Sequence, residues 1–169
     1  MTLRCLDGST GTSSFDMYID PSGWVRDTRG EPLIGATVTL LRSSYPLGPF
    51  EIVPDESPLM SPKNRNNPDF TDGAGHFGWD TVPGYYVVRA EYEGCVAPED
   101  LSRTYVETEV LPVPPEWLDL QLTLDCEGIR PPELALPANL QVAATSAAGA
   151  AVSYEATAYD GRDGELAVS

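Results

Sequence analysis

Basic side chains are scarce in this 169-residue chain. Ten lysines and arginines stand against 26 aspartates and glutamates, which gives a formal charge of −16 at pH 7. Such an acidic surface repels a phosphate backbone, so we expect neither nucleic acid nor anionic membranes as partners. No apolar run approaches the roughly 20 residues that a membrane helix needs, and we expect no membrane insertion.

Histidine is almost absent, since His76 is the only one. General acid–base catalysis and the activation of a serine or cysteine nucleophile rely mostly on an imidazole, and no nucleophile here has an assignable base. There is also no Cys-x-x-Cys pair or Cys/His cluster, which argues against structural zinc. We therefore predict that the chain is not an enzyme, and that His76 is a plain surface residue.

Turn residues and alternating apolar positions are abundant instead, with 16 prolines and 15 glycines. The stretch at 30–42 reads GEPLIGATVTLLR, which places Ala36, Val38 and Leu40 on one face of a strand and the threonines on the other. A period of two is typical of a half-buried β-strand. No stretch of the chain predicts a helix, so the expected class is all-β.

The most regular stretch is 72–95, DGAGHFGWDTVPGYYVVRAEYEGC. An Asp-Gly turn leads into an aromatic strand, and a Pro-Gly turn follows it. In the next strand Tyr86, Val88, Ala90 and Tyr92 share one face. Alternation bounded by turns at both ends predicts a β-hairpin here.

Three further strands are predicted around this stretch. One covers 15–27 and is interrupted at 20–23, where we expect Pro21 to lie at a sheet edge. Another covers 105–111, and the last is 117–126. The residues expected to face the core in these last two strands are Val106, Val110, Leu118, Leu120, Leu122 and Leu124.

The motifs of residues 15–126 resemble those of carboxypeptidase-regulatory-like and collagen-adhesin B-type repeats. The pattern P-x-x-G-A-x-V-x-L lies at 32–40, T-D-x-x-G-x-F at 71–77 and G-x-Y-x-V at 84–88. The resemblance implies a seven-stranded, transthyretin-like (prealbumin-like) β-sandwich. Collagen-adhesin repeats often carry a Lys–Asn isopeptide bond, but the only lysine here lies outside the predicted strands, so we expect none.

The remaining residues are assigned by composition and by a second resemblance. Residues 1–14 are small and polar and predict a flexible lead-in. Residues 127–133, EGIRPPE, predict a linker. Residues 134–169 resemble the opening of a hyalin repeat, an immunoglobulin-like module, of which only part is expected here.

Both resemblances imply modular proteins that work outside cells as spacers or adhesion modules. We therefore predict a non-catalytic spacer or adhesion module of a secreted or cell-surface protein, whose main partners are other domains of the same polypeptide. Residues 1–30 lack the basic-then-apolar pattern of a signal peptide. If the protein is exported, its signal lies upstream of this chain or has been removed.

Three cysteines leave one thiol over in any disulfide scheme. Cys95 and Cys126 each close a predicted strand, and one strand of opposite direction lies between them. An up-down-up path puts both at the same pole, which favours a disulfide over two buried reduced thiols. Cys5 is then free or paired with a residue outside this chain.

A long proline-rich segment, residues 44–71, is the predicted binding loop. Its polar tip would be Asn64, Arg65, Asn66 and Asn67, in contact with extracellular carbohydrate or protein. The alternative is a strap of fixed conformation that covers one sheet edge and prevents edge-to-edge pairing.

Calcium is the only cofactor for which the sequence offers candidates. Asp69, Asp72 and Asp80 surround a Gly-rich turn, and carboxylates in such turns can supply calcium ligands. Asp-Gly is also ordinary turn chemistry, and no EF-hand loop is present. We keep these three residues as the calcium candidates and predict no other cofactor or metal.

Overall fold

The computed structural model of the chain describes residues 2–4, 7–8, 10–12, 17–161 and 163–168. These residues form an all-β protein with one short 3₁₀ helix at Glu127–Ile129. The strands are β1 (Thr2–Arg4), β2 (Thr10–Thr12), β3 (Pro21–Asp27), β4 (Thr37–Ser43), β5 (Glu51–Ile52), β6 (Asp69–Phe70), β7 (His76–Gly78), β8 (Gly84–Glu91), β9 (Tyr105–Glu107), β10 (Leu111–Val113), β11 (Trp117–Leu124), β12 (Glu133–Ala135), β13 (Thr157–Asp160) and β14 (Gly164–Leu166).

Two sheets pack against each other as a β-sandwich. The larger has the order β10-β8-β4-β5, with β9 also paired to β8 and β6 also paired to β4. The smaller has the order β11-β3-β7. Their inner faces form one buried cluster, which includes Val25, Phe77, Leu122 and Leu124 from the smaller sheet and Val38, Leu40, Tyr86 and Val88 from the larger. The alternation of β4 and β8 therefore predicted their buried faces correctly.

The predicted hairpin over 72–95 is wrong, because its two strands belong to different sheets. β7 pairs with β3, where Gly78 lies opposite Ser22. β8 pairs with β4, where Val88 lies opposite Leu40. The Pro-Gly turn therefore carries the chain from one sheet to the other. Alternation reports which face of a strand is buried, but it does not report which strand lies beside it.

The strand predicted over 15–27 begins at Pro21 and is not interrupted. It is the central strand of the smaller sheet, between β11 and β7, so the edge position expected for Pro21 is also wrong. Pro21 is tolerated because it is the first residue of β3, where a missing N–H removes no hydrogen bond from inside the strand. Its carbonyl still accepts a hydrogen bond from the backbone N–H of Trp79 at 3.1 Å.

Of the four leucines expected to face the core from β11, three are buried and Leu118 is 47% exposed. The register of β11 along β3 shifts by one residue between Trp117 and Leu120, which is a β-bulge. At this point the backbone of Leu120 approaches Gly23 so closely that a Cβ on Gly23 would clash with the Leu120 carbonyl. The extra residue turns Leu118 away from the core.

The strand predicted over 105–111 is divided into β9 and β10, which pair separately with β8. The expected inward residue Val106 is buried, but Val110 is 37% exposed. Leu111, the next residue, is buried in its place. The break between the two short strands shifts the alternation by one position, which the sequence pattern did not show.

Both ends of the chain add small sheets. Residues 1–14, expected to be flexible, include an antiparallel pair in which Thr2 lies opposite Thr12. Its Asp-Gly step between threonine-containing segments is a hairpin signal that the prediction overlooked. Cys5 and Phe15 lie outside the described residues.

In the last segment β12, β13 and β14 form an antiparallel sheet. Among the described residues, no helix is long and apolar enough to cross a membrane.

Candidate functional site

The two candidate cysteines lie at the pole of the sandwich from which the linker, residues 127–133, begins. Cys95 follows β8 of the larger sheet and Cys126 follows β11 of the smaller one. Their Sγ atoms are 2.06 Å apart and their Cα atoms 4.3 Å apart, which is disulfide distance, and both residues are buried. A bond across this sequence separation of 31 residues stabilises the fold by about 3–4 kcal/mol in the chain-entropy treatment. It joins the two sheets at one pole.

Arg29, in the turn after β3, fastens the linker to this pole. Its Nε and Nη2 donate to the two carboxylate oxygens of Glu127 at 2.9 and 2.7 Å. Its Nη1 donates to Oε1 of Glu133 at 3.0 Å. These hydrogen bonds raise the pKa of Arg29. The bidentate contact fixes the orientation of the guanidinium as well as its distance from Glu127.

A second ion pair lies beneath the first. Asp27, the last residue of β3, is buried, and its Oδ1 accepts hydrogen bonds from the backbone N–H groups of Arg29 and Glu31, each at 2.9 Å. Its Oδ2 pairs with Nη2 of Arg130 in the linker. Removing Arg130 would leave a buried carboxylate without its charge partner, which is strongly unfavourable.

The C-terminal sheet contacts the same group of charges. A Cβ on Gly161, in the turn between β13 and β14, would clash with the carboxylate of Glu127. Glu127 therefore lies between Arg29 and this turn. We call Asp27, Arg29, Glu127, Arg130 and Glu133 the clasp. Composition identified residues 127–133 as a linker, but nothing local in the sequence indicates that a turn 98 residues earlier holds it.

The three calcium candidates line one surface depression of about 380 Å³. Oδ1 of Asp72 accepts hydrogen bonds from the backbone N–H groups of Ala74 and His76 at 2.8 and 2.9 Å, which lower the pKa of Asp72. This is the Asx-turn chemistry considered as the alternative. Among the residues described here, no group of three or more histidines, cysteines, aspartates or glutamates is arranged to hold a metal ion.

The depression also contains a carboxylate that the sequence analysis missed. Because Ile19 lies opposite Thr81 and Ser22 opposite Gly78, the register places Asp20 opposite Asp80. Burial is the main cause that raises the pKa of Asp20, and the charge of Asp80 raises it further, against the lowering effect of a hydrogen bond with Ser22. Like charges directly opposite one another are destabilising. Only the long-range register brings these two residues together.

The only histidine lies at the end of the same depression. The ring of His76 packs edge-on against Trp24, with centroids 5.3 Å apart and planes at 68°. Trp24 lies opposite His76 in the β3–β7 register, two residues along from Ser22 and Gly78 and on the same face of the sheet. His76 is partly exposed, and its packing against Trp24 is a structural contact between neighbouring strands.

Of the four residues expected at the polar tip of residues 44–71, Asn66 is exposed and Asn64 and Arg65 are partly buried, but Asn67 is only 4% exposed. Its Oδ1 accepts a hydrogen bond from the backbone N–H of Leu40 at 2.8 Å. Its Nδ2 donates to the carbonyls of Leu40 at 2.9 Å and Val53 at 2.5 Å. The amide of Asn67 thus pairs with β4 as a neighbouring strand would.

The other three residues of the expected tip are also hydrogen-bonded to the rest of the sandwich, two through their side chains and Asn66 through its backbone carbonyl. Asn64 donates from Nδ2 to the carbonyl of Gly78, and Arg65 donates from Nε to the carbonyl of Met60 at 3.0 Å. The Asn66 carbonyl accepts a 2.7 Å hydrogen bond from the indole N–H of Trp79. Together with β5 and β6, which pair with β4, these bonds match the alternative of a strap along a sheet edge.

No protein-family model matches the chain, and no curated protein matches it in sequence. The resemblance to carboxypeptidase-regulatory-like and hyalin repeats therefore rests on the motifs alone. The clasp, the strap and the depression are the features from which a function is inferred.

Proposed function

We propose that this chain is a non-catalytic spacer of a secreted or cell-surface multidomain protein. In this proposal the sandwich is transthyretin-like, of the carboxypeptidase-regulatory-like kind, and it holds the module that follows it in a fixed orientation. The observation that carries the proposal is the clasp. A flexible tether between two domains needs no specific contacts with either of them.

The linker is held at both of its ends. Cys126, immediately before it, is tied to Cys95 across the sandwich. Arg29 then contacts Glu127 at its start and Glu133 at the beginning of β12. Pro131 and Pro132 lie between these contacts and restrict the backbone further. A pull on the C-terminal sheet would therefore be transmitted to β3 and β11, the long strands of the smaller sheet.

The composition supports the same role. A disulfide-distance cysteine pair is compatible with an oxidising, extracellular setting. The charge of −16 keeps a surface-exposed module soluble and apart from its own copies. The strap along β4 leaves that edge paired, which opposes aggregation between neighbouring spacers.

The proposal is tested by the distance distribution between two nitroxide labels, measured by double electron–electron resonance. The labels are placed at Ser102→Cys and Ser153→Cys, both exposed in the native chain, in a Cys5→Ser background. We expect one narrow distribution for the otherwise native chain. Arg29→Ala and Arg29→Ala/Arg130→Ala should broaden it progressively, because the linker loses first its surface contacts and then its buried one.

The matched control is Arg89→Ala, which removes an arginine ion pair with Glu107 at 2.8 Å, far from the linker in sequence. It should leave the distribution unchanged. A native distribution as broad as that of the double variant would contradict the spacer proposal, since the clasp would then impose no orientation.

A further inference from the structure

A groove beside the cysteine pair is not used by the spacer role. It is formed by the loop before β4, the end of β8 with the turn that follows it, and the linker, and it encloses about 1040 Å³. Buried Cys95 is one of the residues that line it. The groove thus lies on the same pole as the clasp, where the backbone is tied most firmly.

Two large aliphatic side chains line the groove and remain open to solvent. Ile34, from the loop before β4, is 58% exposed, and Ile129, from the linker, is 49% exposed. Tyr92 lies between the groove and the core, against which it packs. Apolar surface of this kind, arranged along a concave region with a polar rim, is typical of an interaction site.

The charge of the groove is of one sign. Glu91 and Glu93 line it, and no lysine, arginine or histidine does so among the residues that the structure describes. Neither carboxylate forms an ion pair within that part of the chain. Both lie on a protein whose net charge is −16, so the potential at the groove attracts cations.

We propose that this groove binds an extended peptide segment of another protein, in which lysine or arginine flanks an apolar side chain. The apolar side chain would lie on Ile34 and Ile129, and the basic side chains would reach Glu91 and Glu93. Lysine and arginine suit this arrangement because their aliphatic stems can cover apolar surface while their charged ends meet the carboxylates. A second copy of the chain does not fit, since its charge is also −16.

The first experiment is a titration of the ¹⁵N-labelled chain with a blocked pentapeptide, Lys-Leu-Lys-Val-Lys, followed by amide chemical shifts. We expect shifts confined to residues 34–37, 91–96 and 129. Shifts spread over the whole acidic surface would overturn the proposal, because they would mean non-specific attraction to a negative protein. A peptide with serine in place of leucine and valine should bind more weakly; equal binding would also overturn it.

A pair of double variants separates the position of the charges from their number. Glu91→Gln/Glu93→Gln should weaken binding of the pentapeptide at least about fivefold, as expected for two partly screened ion pairs. Glu51→Gln/Glu109→Gln removes the same charge at exposed positions outside the groove and should change affinity less than about twofold. Equal losses in the two variants would contradict a groove-specific site.

The apolar side of the groove is tested in the same way. Ile34→Ser should weaken binding, whereas Leu101→Ser, at a similarly exposed leucine outside the groove, should not. Circular dichroism of each variant before titration checks that the sandwich is intact. Binding that survives Ile34→Ser unchanged would overturn the proposed contact. The outcome is independent of the spacer experiment, which measures the clasp.

Discussion

Residues 17–126 and residues 134–168 are both built from short, mainly antiparallel strands, but they bury very different amounts of apolar surface. In the sandwich, one cluster of buried side chains lies between two sheets. In the C-terminal sheet no described residue is buried. Eight of the large apolar side chains in residues 134–168 are 46–66% exposed: Leu134, Leu136, Leu140, Val142, Val152, Tyr154, Tyr159 and Val168. The difference shows that an alternating strand gains a buried face only when a second layer covers it.

The largest expected effect contrasts one aromatic residue from each region. Phe77→Ala should lower the free energy of unfolding by about 3–5 kcal/mol, because the ring of Phe77 is fully enclosed in the core. Tyr154→Ala should change it by less than about 0.5 kcal/mol, because Tyr154 is 66% exposed. Urea unfolding followed by tryptophan fluorescence measures both. A similar loss in the two variants would remove the contrast between the regions.

A smaller loss of unfolding free energy is expected from a substitution that tests whether residues 44–71 belong to the sandwich. Asn67→Ala should cost about 1–3 kcal/mol, since it leaves the buried backbone N–H of Leu40 without its partner, although the Leu40 carbonyl keeps its hydrogen bond from the Val53 backbone N–H. Asn66→Ala, at an exposed neighbour, is the matched control and should cost less than about 0.5 kcal/mol. Equal and small losses in urea unfolding would indicate that this segment is an independent loop after all.

The smallest expected change in stability involves Asp20 and Asp80, which lie opposite one another on the outer face of the smaller sheet. Asp20→Asn should stabilise the sandwich at neutral pH by about 0.2–1 kcal/mol, the range for directly opposed like charges on a sheet. The pKa of Asp20 is raised in the folded chain, so its ionised form is the unfavourable one. The gain should therefore be complete above that raised pKa.

The difference in stability between Asp20→Asn and the native chain should depend on pH in a defined direction. As the pH falls through the raised pKa of Asp20, the folded native chain takes up the proton before the unfolded chain does, and the difference between the variants shrinks. Below the unfolded pKa it should vanish. Urea midpoints of both proteins between pH 3 and 8 measure this difference in stability. A difference that grows as the pH falls would show that Asp20 is stabilising when ionised.

The sequence predictions were correct for features set by neighbouring residues and wrong or missing for features set by residues distant in the chain. Alternation correctly predicted the buried faces of β4 and β8. Those features depend on residues close together in the chain. The partners of β7 and β8, the bulge at Leu120 and the role of Asn67 were not predicted, because each depends on a strand distant in sequence.

The sequence by itself determined the all-β class, the acidic surface, the position of the main strands of the sandwich and the pole that Cys95 and Cys126 share, since composition, period and turn chemistry are local properties. Only the tertiary structure decided that β7 and β8 lie in different sheets, that Asn67 serves as a partner of β4, and that Arg29 holds the linker. These are pairings between residues 27 to 104 positions apart, and their energies arise only after the chain has brought both partners together.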